Sequence, residues 1–139
     1  MSSLEITMAR LEDQIKYYDK SSITNKRIYE CLKIIEFISA AAIPVLASKA
    51  VPPLVLGILG SLIVVLEGLQ QLKQFNNNWT NYRSTCESLR HEKYLFEAKA
   101  DCYASADNPD TLLAERIESL ISREHAKWVS TKEEMKKER

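Results

Sequence analysis

His91, His125, Cys31, Cys86 and Cys102 are the side chains with the chemistry for nucleophilic attack or metal ligation. Their spacing supports neither. The cysteine number is odd and no CxxC pair occurs, so neither a disulfide framework nor a zinc site is indicated, and neither histidine has a nucleophile or metal ligand at the required spacing. Cys86 comes beside His125 if the C-terminal helices fold antiparallel, but a buried small side chain is the simpler reading. The sequence therefore predicts no catalytic residue, no metal and no cofactor, and no enzyme. The informative ionisable residues are Glu36 and Glu67, two carboxylates set inside apolar runs. In an oligomer they would form rings of negative charge at a pore mouth and favour cations. The alternative is that both lie at a membrane boundary, with Glu36 satisfied by Lys33 one turn earlier.

The element that carries these carboxylates is the stretch 34–69, two apolar runs separated by Lys49 and the prolines Pro52 and Pro53. Residues 34–48 and 51–66 are each shorter than the ~20 that a ~30 Å hydrocarbon core prefers. Charge placement favours a membrane. Lys16, Lys20, Lys26, Arg27 and Lys33 precede the first run and Lys73 follows the second, against Lys49 alone in the connecting loop. The positive-inside rule then places both termini in the cytoplasm. Ala40, Ala41, Ala42 and Ala47 on the first helix, and Gly57, Gly60 and Ser61 on the second, would let helices approach closely in lipid. Pro44 is expected to bend the first helix and is a gating candidate, while Pro53 suits the first turn of the second.

The flanks are helical and charged. Leu4, Met8, Leu11, Ile15 and Tyr18 recur at steps of four and three, a helical seam with Ser3 as N-cap. With neither Gly nor Pro between Asp19 and Asn25, this helix is expected to run on into the apolar segment. After the second run, Leu72, Phe75, Trp79, Tyr82, Cys86, Leu89, Lys93, Phe96, Ala100 and Tyr103 keep the same alternation, which predicts one long helix reaching Tyr103, with Trp79 in its core. A turn over residues 104–110 leads to a last helix starting near Asp110 or Thr111, with Leu113, Ile117, Leu120, Glu124, Trp128 and Met135 on one face. Folded antiparallel, it brings Phe96 near Glu118, Leu89 near His125, Cys86 near Trp128 and Arg90 near Glu124. Glu87 and His91 form an i, i+4 pair. The basic residues Lys127, Lys132, Lys136, Lys137 and Arg139 would face an anionic leaflet.

The chain of 139 residues balances 19 basic against 19 acidic side chains and is 45% apolar. Zero net charge gives no reason to expect a nucleic-acid binder. The first twenty residues mix polar and apolar types and do not read as a cleavable signal. The expected fold is all-α: a two-transmembrane helical hairpin extended by a cytosolic antiparallel helical bundle. Its parts are an amphipathic helix over 1–33, the hairpin over 34–70 and a cytosolic hairpin over 71–139.

Trp79, Tyr82, Arg83, Glu87, Leu89, Glu92, Lys93 and Tyr94, spaced as WxxYRxxxExLxxEKY, resemble the pattern that follows the second membrane helix of the SLATT family of bacterial two-transmembrane effector domains. Residues 115–128, with Glu124 and Trp128, look like that family's final helix. The resemblance implies an inner-membrane effector of a bacterial antiphage or conflict system, forming a pore as a homo-oligomer. With no appended nucleotide-sensing domain, its trigger would be a separate sensor protein or signal. Read physically, the charged motif residues lock their helix to a partner helix, through Glu118 or Glu124, or touch the next protomer.

Overall fold

A computed structural model describes residues 2–137; Arg139 and the side chain of Met135 lie outside the described residues. The chain is all-helical, with α1 (Ser3–Ala47), α2 (Pro53–Lys73), α3 (Phe75–Glu97), a short 3₁₀ turn (Asp101–Ala104) and α4 (Pro109–Lys137), and no strand among the described residues. The chain divides into two compact units. One combines the residues up to Ser21 with those from Asn81 onward, and the other is Ser22–Thr80.

α1 is one continuous helix of 45 residues, as the lack of helix breakers after Asp19 suggests, and it continues through Pro44. Its N-cap is Ser2 and not Ser3. The Ser2 hydroxyl accepts from the Glu5 amide at 3.2 Å, and the Glu5 carboxylate accepts from the Ser2 amide at 2.7 Å, a reciprocal capping box. Pro53 opens α2 as expected, with Pro52 before it in an extended conformation.

In the first unit, the N-terminal part of α1 packs with α3 and α4 around Leu11, Tyr18, Cys86, Leu89, Tyr103, Leu113 and Ile117, all buried. Met8, Ile15, Tyr82, Phe96 and Leu120 pack against this core, so the three periodic seams meet in one place. Each fully buried leucine or isoleucine contributes about 1.5–3 kcal/mol relative to exposure.

The long helix expected to reach Tyr103 is broken twice. Gln74 adopts a left-handed conformation, φ 48° and ψ 40°, which separates α2 from α3. Its amide donates to the Gln70 carbonyl at 2.8 Å, and the Asn78 side chain donates to the carbonyl of Lys73 at 2.9 Å. A side-chain amide therefore takes over a helical carbonyl, and Asn76, Asn77 and Asn78 are all residues that compete with the helix in this way. The second break is a Schellman cap. Ala100 N donates to Leu95 O at 3.0 Å and Lys99 N to Phe96 O at 3.1 Å, with Lys99 at φ 50° in the position glycine usually takes.

This early stop corrects the pairing expected of α3 with α4. Because α3 ends at Glu97, Glu92 meets Arg116, Glu118 instead pairs with Arg10 of α1 at 2.6 Å, and Arg90 pairs with Asp19 and Glu87. α4 begins at Pro109, with the Asn108 side chain accepting from the Thr111 amide at 3.4 Å. Leu113, Ile117 and Glu124 of its expected face are buried, whereas Trp128 is exposed.

Candidate functional site

Within the second unit, the apolar end of α1 and the whole of α2 leave most of their large hydrophobic side chains in the open. Phe37 is 67% exposed, Ile38 65%, Leu54 74% and Val64 71%, and Ile34, Val45, Ile58, Val65 and Leu69 are also exposed. α2 carries an 18-residue window of mean hydropathy 1.9 of which 11% is buried, so by length and composition it can cross a membrane. The corresponding part of α1 contains Glu30, Lys33 and Glu36 and is not comparably free of charge. Soluble proteins rarely leave apolar patches of this extent in water.

Small residues do not draw the two helices together here. Side chains built at Gly57 or Gly60 would meet nothing within 4 Å, and the Ser61 hydroxyl donates to the Gly57 carbonyl at 2.9 Å. Gly57, Ser61, Ala40, Ala41, Pro44 and Ala47 are exposed, while Gly60 and Ala42 are half-buried.

Glu36 and Glu67 are brought together by a lysine. Lys33 Nζ lies 2.7 Å from Glu67 Oε2 and 3.1 Å from Glu36 Oε2. The Gln70 side chain also donates to Glu36, at 3.0 Å. The result is a polar clamp between α1 and α2, with the Glu36 side chain 14% exposed and that of Glu67 55%. Sequence reasoning paired Lys33 with Glu36 from their i, i+3 spacing but missed its reach to Glu67 and the part of Gln70, which faces Glu36 only once the hairpin closes. Gln70 Oε1 is buried without a hydrogen-bond partner.

The remaining motif residues lie further along α3. Trp79 is half-buried, with Lys26 Nζ 5.5 Å from its ring centre and its indole N–H donating to Asn76 at 3.1 Å. In the first unit, Arg83 pairs with Asp19 at 3.2 Å and with Glu87 at 2.6 Å. Arg90 joins the same two acids, and Lys93 reaches Glu12 at 2.9 Å. These pairs lock α3 to α1, and none of them involves Glu118 or Glu124 of α4. Glu87 is bonded by these arginines, so the expected Glu87 to His91 pair does not form. Asp19 and Glu12, the acidic anchors, sit on the outer face of the first seam and had no distinguishing spacing in the sequence.

Glu92 is the motif's buried member. Arg116 grips it with two bonds of 2.8 and 2.6 Å, and the Tyr103 hydroxyl donates to it at 2.8 Å. Burial disfavours its charge, but these donors and the Arg116 guanidinium outweigh burial and hold the carboxyl below its usual range. Leu89 is fully buried, and Tyr94 is 67% exposed. Glu124 accepts a hydrogen bond from the Tyr18 hydroxyl at 3.3 Å. Cys86 is buried with its thiol toward the Ile15 carbonyl, and His125 sits beside Glu124, so no cysteine–histidine dyad is assembled. Burial raises the Cys86 thiol pKa, which keeps it protonated and unreactive. Among the described residues no group of three His, Cys, Asp or Glu converges as a metal site.

A family model described as a protein of unknown function, DUF4231, matches residues 13–111. That span takes in the end of the first seam, the apolar hairpin, all of α3 and the start of α4. No curated protein and no solved structure matches the chain.

Proposed function

The chain belongs to the family of proteins of unknown function DUF4231, and from that premise we propose that it is a small homo-oligomeric membrane protein whose apolar hairpin forms a pore or disrupts the bilayer. The observation that carries the reading is the exposed apolar surface shared by α2 and the end of α1. Chain connectivity adds to it. The first unit is assembled from segments on both sides of the hairpin, which supports placing both flanks on one side of the membrane with an even number of crossings. If α2 crosses, the end of α1 crosses with it. The two short runs then form a two-transmembrane hairpin, both flanks face the cytoplasm by the positive-inside rule, and the membrane is a bacterial inner membrane. The resemblance to SLATT effectors extends this to an antiphage or conflict system triggered by a separate sensor or signal. Self-association and the lipid bilayer are the partners this reading needs, and nucleic acid is not among them.

Reconstitution in liposomes tests it. Purified protein should release a trapped ion or dye, and replacing Glu36 and Glu67 with glutamine should reduce the preference for cations over anions. Absence of leak under every trigger tried would remove the pore. The second reading is a non-conducting scaffold, membrane-anchored or soluble, that binds a partner through its long helices. It is favoured by the way Lys33 occupies both carboxylates and leaves less free negative charge for a pore mouth. It predicts that changes at Glu36, Glu67 and Pro44 leave activity intact. Cell fractionation before and after phage challenge separates anchored from cytosolic forms.

A further inference from the structure

In the first unit, α1, α3 and α4 border a half-open cleft of about 420 Å³ lined by Tyr17, Tyr18, Tyr82, Glu124, His125 and Trp128 among others. Its size falls within the ~300–1,000 Å³ usual for small-molecule sites. Four of these side chains are aromatic. The rings of Tyr17 and Tyr18 meet edge to face at 5.2 Å, and those of Tyr18 and Tyr82 are 6.0 Å apart. Trp128 is 46% exposed, and its ring already draws a cation, with Lys132 Nζ 3.8 Å from its centre.

The acid at this cleft is incompletely matched. Glu124 is only 9% exposed, yet its contacts are the Tyr18 hydroxyl and His125 Nδ1, at 3.3 and 3.4 Å. Among the described residues no lysine or arginine pairs with it. Glu92, the other buried acid of the same unit, is gripped by Arg116 with two hydrogen bonds. A carboxylate withdrawn from water without a basic partner is costly, and a cation restores the balance. Aromatic rings beside a carboxylate are the chemistry by which proteins recognise ammonium groups. An anion would meet the like charge of Glu124, and an apolar ligand would leave that charge unmatched. A metal ion would find one carboxylate and one imidazole, too few ligands for a stable site.

We propose that this cleft binds a small soluble organic cation bearing an ammonium group, held by Glu124 and by the rings of Tyr17, Tyr82 and Trp128. The site is independent of the membrane reading, since every residue in it belongs to the unit outside the apolar hairpin.

The test uses the full chain in detergent with Trp79→Phe, so that Trp128 is the fluorescent reporter. Choline and tetramethylammonium should give a saturable change in its emission that sodium chloride at equal ionic strength does not. Glu124→Gln should weaken this binding about tenfold or more. Trp128→Leu, at an exposed position that leaves the core intact, should weaken it similarly when followed by calorimetry, with circular dichroism reporting that helicity is kept. Lack of a saturable response to either ammonium ion overturns the proposal. Binding that survives Trp128→Leu undiminished also overturns it, by placing the cation elsewhere.

Discussion

At the scale of single residues, Glu92 is held as a carboxylate in a place where burial disfavours its charge. Arg116 and Tyr103 supply three hydrogen bonds to its two oxygens. Glu92→Gln should destabilise the helical bundle by about 2 kcal/mol, since hydrogen bonds to charged groups are worth ~1.5–3 kcal/mol and Arg116 would lose its counter-charge. Urea denaturation followed by circular dichroism checks this. The folded-state pKa of Glu92 lies below the ordinary 4.5. Its contribution is therefore complete above 4.5 and is lost as pH falls through the lowered value. The variant should trail the parent at neutral pH and converge with it in acid. Convergence above 4.5, or none at all, would assign the destabilisation to something other than the charge. Tyr103, raised chiefly by burial and then by Glu92, stays a donor across the same range.

At the scale of elements, two helix ends are made without glycine, at Gln74 and at Lys99, both at positive φ. A non-glycine residue there costs on the order of 1 kcal/mol, and a β-branched one more. Gln74→Gly should accordingly be more stable than Gln74→Val by about 1 kcal/mol or more, a comparison in which both variants lose the same side-chain amide. Thermal melts in detergent measure the difference, and equal stability would mean the left-handed turn is not retained. These two ends also mark where the sequence was readable and where it was not. Leu11, Tyr18, Leu89, Leu113 and Ile117 were legible because helical periodicity survives any error in helix length. The partners of Glu118 and Arg90 were not, because cross-helix register depends on where α3 stops, and a lysine in the Schellman position carries no composition signal. The consecutive asparagines 76–78 were the available hint of the first break. Of the candidate site, the spacing of Glu36 and Lys33 was legible; the clamp through Glu67 and Gln70 required the hairpin to be closed.

At the scale of the whole molecule, the exposed apolar side chains of the second unit belong to no core, whereas the first unit has its own. On the proposed reading that α2 spans a bilayer, Val64→Lys, at an open position on α2, should shift the protein from membrane pellets to the soluble or aggregated fraction, because a lysine at the centre of a span costs ~2.5–3.5 kcal/mol. The thermal transition of the first unit should be unaffected. Removing α4 should do the reverse. Leu11, Tyr18 and Leu89 would lose their cover, so limited proteolysis should cut α1 and α3 while the hairpin still sediments with membranes.

The way the first unit is threaded also sets an order of events during synthesis. Arg10 and Glu118 stand 108 positions apart in the chain, and Tyr18 and Glu124 stand 106 apart. The seam of α1 therefore emerges from the ribosome long before α4 exists to cover it, and the entire apolar hairpin is translated in between. At ~5–20 residues per second, that interval lasts several seconds or more. The hairpin is therefore exposed to chaperones while its N-terminal flank is still an unpaired amphipathic helix, and the bundle closes only after α4 has been made.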